Sequence, residues 1–183
     1  QAMYYKQTGN YNVAMGNYSA GTGGSGVASF SGVTAIGYQA LSKTTASSVT
    51  AVGYQALQGN TTGVQNTGVG YQALYGNTTG VDNTAVGFSA LGALNGGSSN
   101  VAIGLNAGVT LTTGSGNVAI GAPALRYCVT GSNNTALGFD SLRFNTASNL
   151  TAVGYQALYN NTTGARNNVI GYQAGYKIGR AHV

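Results

Sequence analysis

The apolar positions of this chain recur in a fixed order around a glycine. Thr or Val, then Ala, then an aliphatic residue precede it; an aromatic, a polar residue, Ala and Leu follow, as in Thr-Ala-Val-Gly-Tyr-Gln-Ala-Leu at 50–57. The glycine falls at Gly16, Gly37, Gly53, Gly70, Gly87, Gly104, Gly121, Gly138, Gly154 and Gly171, and after a first gap of 21 residues every step is 16 or 17. Self-similarity at that period predicts a solenoid in which each repeat is one coil. The unit is too short for a helical hairpin and poor in helix formers. The expected class is all-β, a stacked β-solenoid of about ten coils.

Within a coil the alternation of an extended strand puts Thr84, Val86 and Phe88 on one face and Ala85, Gly87 and Ser89 on the other. One face is bulky and the other kept small, as in a strand packed on both sides. The residues before the glycine, Ile36, Val52, Val69, Val86, Ile103, Ile120, Leu137, Val153 and Ile170, are the expected repeat core. The small face permits close backbone approach, across a thin roll or against a neighbouring chain. Asn-Thr-Thr-Gly at 60–63, 77–80 and 161–164 is turn chemistry, because Gly supplies positive φ and Asn bonds its own backbone. Asn12, Asn66, Asn83, Asn100, Asn117, Asn134 and Asn167 stand four before the glycine and predict a stacked amide ladder. Two short strands and two turns fill each coil, and ten coils about 4.8 Å apart make a rod of roughly 48 Å. A single coil buries too little to stand alone, so stability comes from stacking and from other chains.

The array has irregularities. Gly21–Gly26 is read as a loop bulge, Leu105 and Ala122 replace the aromatic after the glycine, and Pro123 sits beside the second of these. The repeat array spans 1–177; residues 178–183 form a non-repeat tail. The chain opens on Gln1 rather than Met, which suggests a fragment. Ile178-Gly179-Arg180-Ala181-His182-Val183 is what a common sequencing-adapter read encodes in frame, so the tail is expected to be artefact.

Composition narrows the functional classes. Charged residues are 5% of the chain, too few for an ordinary soluble domain, yet 13 tyrosines and recurrent aliphatics argue against disorder. The net charge of +5 comes from scattered residues, Lys6, Lys43, Arg126, Arg143, Arg166, Lys177 and Arg180, without the basic stripe of a nucleic-acid surface. No apolar run is long enough for a spanning helix, and no membrane insertion by this segment is expected. Cys128 is alone, which leaves no disulfide framework; it is read as a small semi-buried apolar residue.

Asn-Val-Ala-Ile-Gly at 100–104 and 117–121 resembles the head repeat of trimeric autotransporter adhesins of the YadA-like type. Asn-Thr-Ala-Val-Gly-Phe-Ser-Ala-Leu at 83–91, with its Asn-Thr-Thr-Gly linker, is similar to repeats of phage tail fibres and tail-fibre-like adhesins. The resemblance covers roughly residues 12–175. It implies a left-handed parallel β-roll, assembled as a parallel homotrimer on an extracellular fibre at a bacterial surface or virion tail. It also implies that the aliphatic and alanine positions fill the roll and the three-fold interface. The repeat here is longer than the usual adhesin head unit, and no heptads, neck, anchor barrel or chaperone domain are visible.

Catalysis is not expected. The two carboxylates, Asp82 and Asp140, lie in coils more than three apart, and the one histidine is His182 in the suspect tail. No metal-ligand cluster or cofactor motif is present; the glycines of 21–26 lack the lysine and helix of a phosphate loop, and the hexapeptide acyltransferase pattern fails at Gln58 and Arg126. The expected function is a non-enzymatic structural and adhesive segment of a trimeric fibre used in host or surface attachment. Its partners are itself and a host-surface glycan or protein. The row Tyr38, Tyr54, Tyr71, Phe88, Phe139, Tyr155 and Tyr172 is read first as a stabilising ladder and second as a glycan-contact strip. The alternative is a monomeric binding solenoid, lectin-like or ice-binding, motivated by the row Thr45, Thr61, Thr78, Thr112, Thr146 and Thr162; a generic surface-layer or secreted repeat protein is a third class. Sequons at Asn60, Asn77 and Asn149 coincide with turns.

Overall fold

The computed structural model describes residues 7–21 and 28–176. The loop bulge within 21–26, the tail at 178–183 and its His182 fall wholly or largely outside them. Among the described residues there are twelve short strands: β1 (Gln7–Thr8), β2 (Val13–Met15), β3 (Ala28–Ser29), β4 (Thr34–Ile36), β5 (Thr50–Val52), β6 (Thr67–Val69), β7 (Thr84–Val86), β8 (Val101–Ile103), β9 (Val118–Ile120), β10 (Thr135–Leu137), β11 (Thr151–Val153) and β12 (Asn168–Ile170). β1 and β3 make a small parallel pair, and the other ten stack in chain order into one parallel sheet. Every pairing is in register on the repeat, for example Thr84 opposite Val101 and Val86 opposite Ile103. The fold is an all-β solenoid with no helix among the described residues, and each predicted glycine closes one of the ten strands of the large sheet.

The return limb of the coil differs from the expected second strand. It is a run of turns that nevertheless hydrogen-bonds coil to coil, as when Thr61 N–H donates to the Thr78 carbonyl at 3.0 Å and Asn95 N–H to the Thr112 carbonyl at 2.9 Å. Left-handed residues make this possible. Gln55, Gln72 and Gln156, two after the glycine, have φ near +54°, and Leu57, Leu74 and Leu158, four after it, have φ near +51°. Stacked partners above and below hold these side chains in a region L-residues normally avoid.

The interior is filled by small and leucine side chains. Ala35, Ala51, Ala85, Ala102, Ala119, Ala136 and Ala152 from the sheet face Leu41, Leu57, Leu74, Leu91, Leu125, Leu142 and Leu158 from the turn, all fully or almost fully buried. A Cβ on Gly68 would meet the Leu57 side chain at 3.2 Å, so the cavity is only an alanine and a leucine wide. The small face therefore closes within one chain, not against a neighbour. The expected repeat core lies on the opposite, outer side of the strands. Ile36, Val52, Val69, Val86, Ile120 and Val153 are half-buried, while Ile103, Leu137 and Ile170 are exposed, in the last case by 78%.

Two buried amide columns run along the rod. In the predicted one, the Asn83 side-chain Oδ1 accepts from the backbone N–H and the Nδ2 of Asn100, each at 3.0 Å, and Asn66 through Asn134 continue the chain of bonds. The second column stands seven after the glycine and is not uniform: Thr44, Asn60, Asn77, Leu94, Leu111, Cys128, Asn145 and Asn161, all fully buried. Asn77 Nδ2 donates to Asn60 Oδ1 at 2.8 Å, but the Asn77 Oδ1 meets Leu94 in the next coil and has no hydrogen-bond partner. A core Leu→Asn change ordinarily costs several kcal/mol. Leu94→Asn is expected to stay within about 1 kcal/mol of wild type, because its amide can satisfy Asn77. Leu111→Asn, between Leu94 and Cys128, should cost about 3 kcal/mol. Denaturant unfolding of the two variants checks the contrast, and equal losses would refute it.

Candidate functional site

With the interior closed, the surface that can act on anything is the outer side of the ten-stranded sheet and its edges. The outward residues of the strands, such as Thr84 and Val86 or Val101 and Ile103, form an uncharged strip along the rod, a row of aliphatic side chains beside a row that is mostly threonine. Beside it runs the aromatic row. Tyr38, Tyr54, Tyr71 and Phe88 stack with ring centroids 4.9–5.3 Å apart and planes within 14° of parallel. Phe139, Tyr155 and Tyr172 form a second stack at 5.2–5.5 Å, and Tyr18 meets Tyr38 edge to face. The centroid spacing matches the step between coils, so the rings are rungs of the architecture. Inside each stack both ring faces are covered by neighbouring rings and only edges reach solvent. The structure thus brings the seven predicted aromatics together as two ladders rather than one, with Leu105 and Ala122 between them.

The glutamines that follow the aromatic are a feature sequence reading passed over. Gln55 Nε2 donates to Gln39 Oε1 at 2.8 Å, Gln72 to Gln55 at 2.9 Å and Gln173 to Gln156 at 2.9 Å. A further aromatic column was also missed: Tyr127 stacks on Phe144 at 4.9 Å and Tyr159 on Tyr176 at 4.9 Å, with Phe144 and Tyr159 edge to face. Its signal, an aromatic five or six after the glycine in consecutive coils, is present from Tyr127 onward. The Arg143 guanidinium lies 5.4 Å from the Phe144 centroid and pairs with Asp140 at 2.7 Å, and Arg126 lies 5.2 Å from Tyr127. Cations on aromatic faces are attracted by the ring quadrupole. Burial would lower the Arg143 pKa, but the Asp140 carboxylate outweighs it and the value is raised.

Other sequence candidates resolve into architecture. The Thr45, Thr61 and Thr112 hydroxyls each donate to a carbonyl of the next coil at 2.9 Å, and the Thr78 and Thr146 hydroxyls do the same. Their donors are committed within the rod. Asn60 and Asn77 are fully buried, so neither sequon offers its amide to a transferase, whereas Asn149 is exposed. Cys128 is fully buried in the second amide column, 3.8 Å from Asn145 Nδ2, and burial pushes its thiol pKa up. That thiol is held in its unreactive, protonated form. Asp82 and Asp140 lie in separate parts of the rod, and among the described residues no group of three His, Cys, Asp or Glu is placed to hold a metal. Among them, too, no helix is long and apolar enough to cross a membrane. Compared with known proteins, the chain matches no family model, no curated protein and no solved structure, so its fold and surface stand on their own geometry.

Proposed function

We propose that this chain is a structural and adhesive segment of an extracellular homotrimeric fibre, of the tail-fibre or trimeric-adhesin kind, that serves attachment to a host or surface. The observation that carries the reading is the outer strip of the sheet. Thr or Val three before each glycine and an aliphatic one before it repeat along the rod without a charge, from Thr34 and Ile36 to Thr151 and Val153. An unbroken row of aliphatic side chains of this length, flanked by threonines and free of charge, marks an interaction face. Three parallel rods turning these strips to a common axis would cover them all in a closed assembly, with identical coils meeting at each level. The repeat-for-repeat uniformity of the strip suits such a lateral interface. Attachment and an extracellular place rest on the resemblance of the repeats to those of trimeric fibres.

Light scattering on the purified chain, with circular dichroism on the same sample, tests the assembly. The wild type is expected to be a β-rich trimer. The double variant Val86→Lys, Ile103→Lys, which leaves the interior alanines and leucines untouched, is expected to be monomeric or to lose its fold only on dilution. A well-folded wild-type monomer would refute the fibre reading and favour a stand-alone binding solenoid.

A further inference from the structure

The threonine row on the return limb is interrupted by Asn95, which stands between Thr78 and Thr112. Gly96 follows it, and this is the one Asn-Gly pair in the chain. Both residues are exposed, whereas Asn60, Asn66, Asn77, Asn83, Asn100 and Asn117 are buried. Asn95 therefore presents an amide that water reaches, next to a residue with no Cβ to shield its backbone nitrogen.

That nitrogen is also loosely held. Gly96 N–H reaches the Thr112 carbonyl only at 3.5 Å, because the same oxygen already takes the Asn95 N–H at 2.9 Å. The backbone N–H groups that follow Asn66, Asn83, Asn100 and Asn117 are each bound by a carbonyl of the next coil at 2.8 Å. They belong to Thr or Val, whose branched Cβ crowds the nitrogen. The Asn95 amide is polarised at the same time. The Thr78 hydroxyl donates to Asn95 Oδ1 as well as to the Asn95 backbone carbonyl, the latter at 3.1 Å. Among the described residues, Asn95 Nδ2 makes no hydrogen bond that would hold it in place.

We propose that Asn95 is a self-modifying site, whose amide is converted to a carboxylate by the Gly96 nitrogen and water. The Gly96 nitrogen gives up its proton and bonds to Asn95 Cγ. The Cγ–Nδ2 bond breaks, and the departing nitrogen takes up a proton and leaves as ammonia. Water then opens the five-membered imide. Breaking the new N–Cγ bond gives aspartate; breaking the bond from Gly96 nitrogen to the Asn95 backbone carbonyl gives isoaspartate. As Cγ becomes tetrahedral its oxygen gains negative charge, so the Thr78 hydroxyl binds it more tightly there than in the resting amide. Aspartate keeps an acceptor for that hydroxyl. Isoaspartate lengthens the main chain by one carbon at a residue whose carbonyl accepts from Thr78 N–H at 2.9 Å and Thr79 N–H at 3.2 Å. Either product adds a negative charge to a chain with two acidic side chains, and isoaspartate also loosens the stack in mid-array.

The test is timed peptide mapping by mass spectrometry on the intact, folded chain in mildly alkaline buffer at body temperature, with isoaspartyl methyltransferase labelling of the same samples. The Asn95 fragment is expected to show the amide-to-acid mass gain ahead of every other asparagine. Gly96→Ala should slow the conversion about tenfold. Its melting temperature should be unchanged, since a Cβ at Gly96 would meet only the Thr79 hydroxyl oxygen, at 3.4 Å. Thr78→Val keeps the backbone bonds, removes the polarising hydroxyl and should slow the conversion about fivefold. Conversion of Asn95 no faster than that of the buried asparagines would overturn the site. So would a rate that either Gly96→Ala or Thr78→Val leaves unchanged.

Discussion

Replacing Gly70 by alanine is expected to destabilise the rod by about 4 kcal/mol, and the reason is partly conformational and partly steric. Gly70 has φ of +131°, outside the regions open to L side chains. Strain of that kind costs about 1–3 kcal/mol. A Cβ there would also stand 2.5 Å from the Gly87 carbonyl oxygen in the next coil, and backbone cannot step aside as a flexible side chain can. Crowding of this sort adds about 1–3 kcal/mol. Because stability passes from coil to coil through nearest-neighbour contacts, a defect in mid-array divides the stack. Gly171 offers the internal control: its φ is +134°, but the nearest atom to an added Cβ is 3.6 Å away. Gly171→Ala should therefore carry the strain without the clash. Thermal and denaturant unfolding of both variants measures the difference, and equally mild losses would show that close approach of the coils is not what demands glycine.

Asn100→Ala is expected to cost a similar amount, about 4 kcal/mol, through a different mechanism. The Asn100 side chain is buried; its Nδ2 donates to the Gly114 carbonyl at 2.9 Å, and its Oδ1 accepts from the Asn117 backbone N–H at 2.9 Å. Truncation strands both groups where water does not reach, and each buried unsatisfied group costs about 1–3 kcal/mol. The hole left by the amide adds to this. Leu150 occupies the same column and keeps its own N–H bonded to Asn134 Oδ1 at 3.1 Å, but it offers no oxygen to Asn167 in the next coil, whose buried Nδ2 is left without a partner. Denaturant midpoints of Asn100→Ala and Leu150→Ala, compared at equal slope, separate a polar-network loss from simple cavity formation. A smaller loss for Asn100→Ala than for Leu150→Ala would contradict this account.

The repeat, the strand that ends at each of the ten glycines and the first amide column were legible in the residues, whereas the β1–β3 pair was not and the expected second strand of each coil is a run of turns. Period 16 or 17 and the Asn four before the glycine are direct consequences of stacking identical coils. The direction of the faces was not legible. Hydrophobicity usually tells inside from outside, but here Val86 outside is more apolar than Ala85 inside. Size decides instead: the rod is so thin that alanine opposite leucine fills it, and a valine at each alanine would overfill it. The second buried column was hidden for a related reason. Asn77, Leu94 and Cys128 share neither polarity nor size, so nothing in the composition marks them as equivalents. The left-handed glutamines and leucines gave no local sign because their backbone is imposed by neighbours above and below. Of the candidate site, the missing aromatics at Leu105 and Ala122 and the nearby Pro123 were visible, but the two ladders they separate appear only once the coils are stacked.

In-register pairing of like with like has one more consequence. Sliding the array by a single repeat returns nearly the same contacts, so the rod has an approximate translational symmetry. Adding or deleting a whole repeat alters its reach by one fixed increment, about 4.8 Å, and such a rod serves as a molecular ruler adjustable in whole units. The same symmetry invites slippage during folding, since a shifted array sacrifices little but its last coil. The uneven column Asn60, Asn77, Leu94, Leu111, Cys128 and Asn145 breaks the degeneracy at one end, because a slip that omits the Cys128 coil would set Leu111 against the Asn145 amide, a contact the native stack lacks. Those irregular residues are the graduation marks by which the chain finds its alignment.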